Sequence, residues 1–145
     1  MTGSTVKRSV LAAADAEDLE ILSARLQDGL ARLKDLVWLP RQRRFTGVFN
    51  RFLWESGRPQ RARAMLSVDS VLKVQSHNIK LGAGEAVVSL LAIRFTPSVE
   101  AENPGGEIAL LFSGGGAIRL EVECIDAALA DLGRPWPARR PEHEA

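Results

Sequence analysis

Arginine is the residue type in this 145-residue chain whose number and placement could do chemistry. Between positions 41 and 63 stand Arg41, Arg43, Arg44, Arg51, Arg58, Arg61 and Arg63, against the single acid Glu55, a local charge of +6. A guanidinium presents a planar fork of donors that matches phosphate or carboxylate, so such a run gathered on one surface would hold an anion in a local positive field. Arg51, Arg94 and Arg119 make a second set. Each interrupts an apolar run, and strands that brought them together beside Asn50 would line an anion-binding depression. Plainer readings compete with both. The first run is also what solvated turns look like, and the second set could snorkel from an outer face or pair with Glu121, Glu123 and Asp126. The candidates for anion or partner binding are therefore Arg41, Arg43, Arg44, Asn50, Arg51, Arg94 and Arg119.

Other chemistries find fewer reactants. The two histidines, His77 and His143, lie far from any matching His or Cys pair, so no metal and no cofactor is expected. Ser113 precedes three glycines but lacks the G-x-S-x-G frame of a nucleophile turn, and no Gly-Lys-Ser/Thr follows to make a phosphate loop. A glycine-rich hairpin loop is the simpler reading. Cys124 stands at the start of a predicted final helix, where the dipole would favour a thiolate, yet a lone cysteine next to Ile125 reads as a small core residue. Glu121 and Glu123 alternate with apolar residues and so share a solvent face. No catalytic residue is assigned.

The composition bounds the partners. Nineteen basic and eighteen acidic residues leave a net charge of +1, which gives no global reason to expect nucleic acid or an anionic membrane. The single cysteine cannot close an internal disulfide and fits a reducing cytoplasm. Lys7 and Arg8 before a short apolar run imitate a signal peptide, but Asp15, Glu17 and Asp18 arrive too early for one. The most apolar stretch, residues 86–95, contains Ser89 and Arg94 and falls short of the ~20 residues that a spanning helix needs. A cytoplasmic location without membrane attachment is expected.

The elements that must position these residues follow from periodicity. Residues 6–11 suit a short first strand. Leu19, Leu22, Leu26, Leu30 and Leu33 then recur at helical steps, with Asp15 as N-cap, Glu17 and Asp18 at the positive dipole end, and Gly29 where the helix weakens or stops. Residues 36–39, a polar turn through Arg41 to Arg44 and residues 45–54 read as a hairpin, whose second arm is apolar on both alternating sets and so is expected to be covered on both sides for part of its length. The turns at its two ends lie about 33 Å apart if the strand is straight, so a single arginine patch requires a bent sheet. Ala64, Leu66 and Val68 begin the next strand, and Asp69-Ser70 breaks it before residues 71–79, as a chain turning a corner would. Further strands are predicted at 87–96, with Leu91, Ile93 and Phe95 facing together, and at 107–112 and 117–122, where Ile118, Leu120 and Val122 point inward. Ile125, Ala128, Leu129 and Leu132 suit a short final helix capped by Gly133. The expected fold is α+β: a curled antiparallel sheet or partly open barrel of about six to seven strands, with an N-terminal and a C-terminal helix packed on it. Residues 6–133 form one domain, with 1–5 and 134–145 as flexible ends.

Four stretches carry a resemblance: Leu22-Ser23-Ala24-Arg25-Leu26-Gln27-Asp28; Leu39-Pro40-Arg41 with Asn50-Arg51-Phe52-Leu53-Trp54-Glu55; Leu90-Leu91-Ala92-Ile93-Arg94-Phe95; and Gly114-Gly115-Gly116-Ala117-Ile118-Arg119-Leu120-Glu121-Val122. Over about residues 6–143 the chain resembles a small bacterial family of unknown function, which implies no activity, substrate or catalytic residue to carry over. The strand run with a terminal helix is similar at fold level to pleckstrin-homology-like barrels, although the early helix departs from their usual order. The function expected is a non-catalytic interaction domain that uses a sheet face or edge to bind a protein partner or, as a homodimer, a second copy of itself. Binding of nucleic acid or another polyanion through residues 41–63 is an alternative, and a small enzyme with an unrecognised site is a second.

Overall fold

A computed structural model describes residues 10–82 and 84–141. Its strands are β1 (Val10–Ala13), β2 (Leu30–Arg32), β3 (Leu36–Leu39), β4 (Arg44–Phe52), β5 (Gln60–Val68), β6 (Val71–His77), β7 (Val87–Pro97), β8 (Gly106–Phe112), β9 (Ala117–Val122) and β10 (Ala127–Pro137). They form one antiparallel sheet in the order β1-β10-β5-β4-β2-β7-β8-β9-β6, with β3 added beside β4. The helix α1 (Ala16–Leu26) follows β1. The side chain of Asp15 accepts from the Asp18 N–H at 2.8 Å, as the sequence predicts for an N-cap, and Glu17 and Asp18 occupy the first turn. Among the described residues no helix is long and apolar enough to cross a membrane.

One face of the sheet is apolar, and that forces it to curl. Cross-strand rows such as Phe45, Val68 and Ala127 on one half, and Leu110 and Ile118 on the other, point to the same side as their neighbours. In a flat sheet β5 and β9 would lie five strands apart, about 24 Å, yet Leu66 and Leu120 share one core cluster. The corner is at Ser70, between β5 and β6, with φ of 59°. Its carbonyl accepts from the Glu123 N–H, and the Val71 N–H donates to the Arg43 carbonyl, both at 2.9 Å. The sheet does not close into a barrel. Helix α1 packs chiefly on β7 and β1 and sets Leu19, Leu22 and Leu26 into the core.

Several expectations are corrected. Among the described residues the sheet has ten strands, not six or seven. The predicted C-terminal helix is β10, paired with β5 on one side and β1 on the other. A short alanine-rich run fits either period, and here the open edge of β5 decides, because a strand satisfies its N–H and C=O groups and a helix would not. Gly133, with φ of 77°, serves a register shift between Leu132 and Trp136 instead of a helix cap. The strand runs on through Pro137, past the point where the prolines predicted a loose tail. With a strand in that place, the likeness to pleckstrin-homology-like barrels loses the terminal helix on which it rested. The first helix stops at Leu26, so Leu30 belongs to β2 and Leu33 to a 3-10 turn. A register shift between Leu90 and Ala92 reverses the parity of β7: Leu90 and Ile93 are buried, while Leu91 is 48% exposed. Of the first predicted strand, residues 6–9 lie outside the described residues, as does His143.

Gly106, paired with both Pro97 and Val122, marks a close backbone approach. A Cβ there would collide with the Thr96 carbonyl oxygen and lie 2.9 Å from Pro97 Cα. Both obstacles are main chain, so Gly106→Ala is expected to cost about 1–3 kcal/mol of stability in denaturant unfolding; wild-type stability would show that the β7–β8 connection yields freely.

Candidate functional site

The arginines of the sequence candidates do not converge. Arg41, Arg43 and Arg44 stand exposed at the β3–β4 turn, where Arg43 adopts a left-handed φ of 52°. Arg43 pairs with Glu123 and Arg44 with Asp69, each at 2.7 Å, and Arg41 has no ion-pair partner among the described residues. Arg58, Arg61 and Arg63 lie toward the other end of β4. Arg61 donates to the Asp28 and Asn50 carbonyls at 3.1 and 2.8 Å and sits 5.9 Å from the Phe52 ring centroid. Arg94 and Arg119 flank Ala109 in one cross-strand row of β7, β8 and β9, with Arg119 bonded to Glu107 at 2.6 Å. Arg51 is on the opposite, inward side of the sheet and joins neither.

Arg51 is the more deeply buried of the two charged residues that the described structure encloses, the other being Asp28. Its side chain is 3% exposed, and it faces inward with Phe45, Gly47 and Phe49. Across β5 it reaches β10, because the intervening residues, Ala62 and Ala64, are small. Its Nε and Nη2 donate to the two oxygens of Asp131 at 2.7 and 2.8 Å. Its Nη1 and Nη2 donate to the two oxygens of Glu55 at 3.0 and 2.6 Å, and Arg25 of α1 meets Glu55 at 3.2 Å. Burial works against the charge on Arg51, but the bonds and fields of Asp131 and Glu55 more than offset it and hold the guanidinium above its ordinary value. Burial would likewise raise Glu55, yet the hydrogen bond and field of Arg51 outweigh it and keep that carboxyl below its ordinary 4.5. Every inward fork of Arg51 is already engaged with carboxylate, so it ties β4, β10 and α1 together and has no free fork for an external anion.

The feature that sequence reasoning missed is a groove of about 440 Å3 between α1 and β7. β7 pairs with β2 only through residues 87–89; the Leu90 N–H then donates to the Gly29 carbonyl, and α1 takes the place of a further strand. The Ile93 N–H, on that open side, is met by the Ser23 hydroxyl oxygen at 2.8 Å. Alternation along an antiparallel ladder puts the N–H and C=O of Phe95 on the same side, where no strand lies among the described residues. Pro97, next in parity, has no N–H to offer. Ala16, Ala24 and Leu91 line the groove with apolar surface, and Glu20 and Arg94 supply charge. Arg94 has no ion-pair partner among the described residues. Such a cleft can take an extended main chain and small apolar side chains. Only the adjacent Leu90-Leu91 pair hinted at it, since a regular strand cannot bury both.

The clamp predicts two outcomes. Arg51→Ala strands two carboxylates and is expected to cost about 3–5 kcal/mol in denaturant unfolding, part of which returns when Asp131→Ala is added. Because Glu55 is held below its unfolded-state value, its contribution is complete above the ordinary 4.5 and is lost as pH falls through its depressed value. Thermal melting should therefore weaken on acidification below that point, and less so in Glu55→Gln.

No curated protein and no solved structure matches the chain. A family model described as "Protein of unknown function" matches residues 10–143. That span runs from the first residue of β1 past the last of β10 and takes in the Arg51 clamp and the α1–β7 groove. The chain therefore belongs to that family of unknown function, DUF2948.

Proposed function

We propose that this protein is a non-catalytic, cytoplasmic interaction domain that receives an extended segment of a partner protein as an added strand along β7, in the groove beside α1. The observation that carries this reading is the open side of β7 at Phe95, which presents a main-chain donor and acceptor inside a cleft lined by both apolar and polar side chains. Strand addition draws affinity from such groups and selectivity from the side-chain surfaces on either side. Here Leu91 supplies the apolar contact, the small Ala16 and Ala24 leave room for the incoming chain, and Ser23 holds the helix at a fixed distance from β7. The polyanion reading draws less support, because Arg43, Arg44 and Arg51 are engaged with carboxylates and the remaining arginines of residues 41–63 are divided among the β3–β4 turn, the β4–β5 loop and β5.

Selection from a displayed random-peptide library tests this. The domain is expected to enrich peptides that protect the Phe95 amide from hydrogen exchange when bound. Leu91→Asp and Ala24→Arg, both at exposed positions, should weaken binding at least about tenfold while the melting temperature holds. No enrichment, or enriched peptides that bind Leu91→Asp as well as wild type, would defeat the proposal.

A further inference from the structure

The outward side of β1, β10, β5 and β4 departs from the usual alternation, in which the side away from the core is polar. The register sets Val48, Met65, Ala130 and Val10 side by side in one row, with Ser67 and Ala128 in the next. None of these carries a charge, and Met65 and Val10 are 37% and 62% exposed. This is the second apolar set that the sequence shows in β4. Among solvent-facing antiparallel strands so bare a platform marks a contact surface. Charges are confined to its two ends. At one, Arg63 is exposed and without an ion-pair partner among the described residues. At the other stand the carboxylates of Asp69 and Asp126 beside Arg44, which donates to Asp69 at 2.7 Å.

We infer that a second copy of this chain occupies the platform, face to face, in a two-fold dimer. Stacked sheets pack about 10 Å apart, a spacing that small side chains on both faces suit. A two-fold axis parallel to the strands would set Arg63 against its own counterpart. An axis across the strands instead brings each Arg63 over the Asp69 and Asp126 end of the other copy, and the uncharged middle opposes nothing. Arg63 and Asp69 are six residues apart, about 20 Å, so this axis crosses β5 near Leu66 and sets each Met65 against the smaller Ser67 of the other copy. Four strands at about 4.8 Å over that length give a footprint of roughly 400 Å2, half the roughly 800 Å2 per partner of a standard interface. The dimer is accordingly reversible. It shares no residue with the α1–β7 groove and stands or falls apart from it.

Sedimentation velocity on the full chain, from low micromolar to submillimolar protein, tests the inference. The average mass is expected to climb from 15.8 kDa toward twice that value with concentration. Met65→Glu should stay at the monomer mass, and Arg63→Asp should raise the dissociation constant at least tenfold at low salt. Thermal melts control for folding; should Met65→Glu unfold, Arg63→Asp, at an exposed position, carries the test. A wild-type chain that remains monomeric at submillimolar concentration, a folded Met65→Glu that associates like wild type, or an Arg63→Asp with unchanged association each overturns it.

Discussion

Ten antiparallel strands with one apolar face cannot lie flat in water, and the rest of the molecule follows from how that face is hidden. The sheet folds over at Ser70, so residues from β5 and β9 meet in one core, and α1 lays three leucines into the space left between β7 and β1. The cost of this solution is incomplete pairing. A helix cannot complete a ladder, so where α1 replaces a strand beside β7 the main chain stays open, with only the Ser23 hydroxyl answering one N–H. The groove and the curl have the same origin.

Electrostatics divides between the interior and the rim. Arg51 is buried at the end of the inward side of β4, and its cost is met by two carboxylates from different elements, reached across alanines that keep β5 low. A longer residue at Ala62 or Ala64 would block that reach. Around the rim Arg43, Arg44 and Arg119 each pair singly with a partly exposed acid, contacts that solvent screens and that contribute little to stability. Of the seven arginines in the segment of local charge +6, three meet carboxylates among the described residues, and the geometry of two strands keeps the others apart.

Apolar side chains reach the surface in two places. The cleft beside β7 and the platform on β4, β5, β10 and β1 are both regions where alternation would place polar residues. Neither holds a nucleophile beside a base, and among the described residues no three His, Cys, Asp or Glu side chains gather as a ligand set. One surface holds open main chain, and the other is an outward sheet face whose charges stand at its ends.

Local chemistry made much of this legible before any coordinates. The N-cap at Asp15, the hairpin of β3 and β4, the break at Asp69-Ser70 and the inward set Ile118, Leu120 and Val122 each depend on residues within a few positions of one another, where periodicity and turn preference decide. What lay beyond reach was decided by partners distant in sequence. Residues 127–132 satisfy a helix and a strand equally well, and only the vacant edge of β5, some sixty residues away, selects the strand. The bulge at Leu90 to Ala92 shifts β7 by one position and turns Leu91 into the groove, a change that hydrophobic alternation alone cannot register. Arg51 shows the same limit in part: its side in β4 and the nearness of Glu55, four residues on, were written in the sequence, but Asp131 lies eighty residues away and comes within hydrogen-bond reach only because β5 pairs with both β4 and β10.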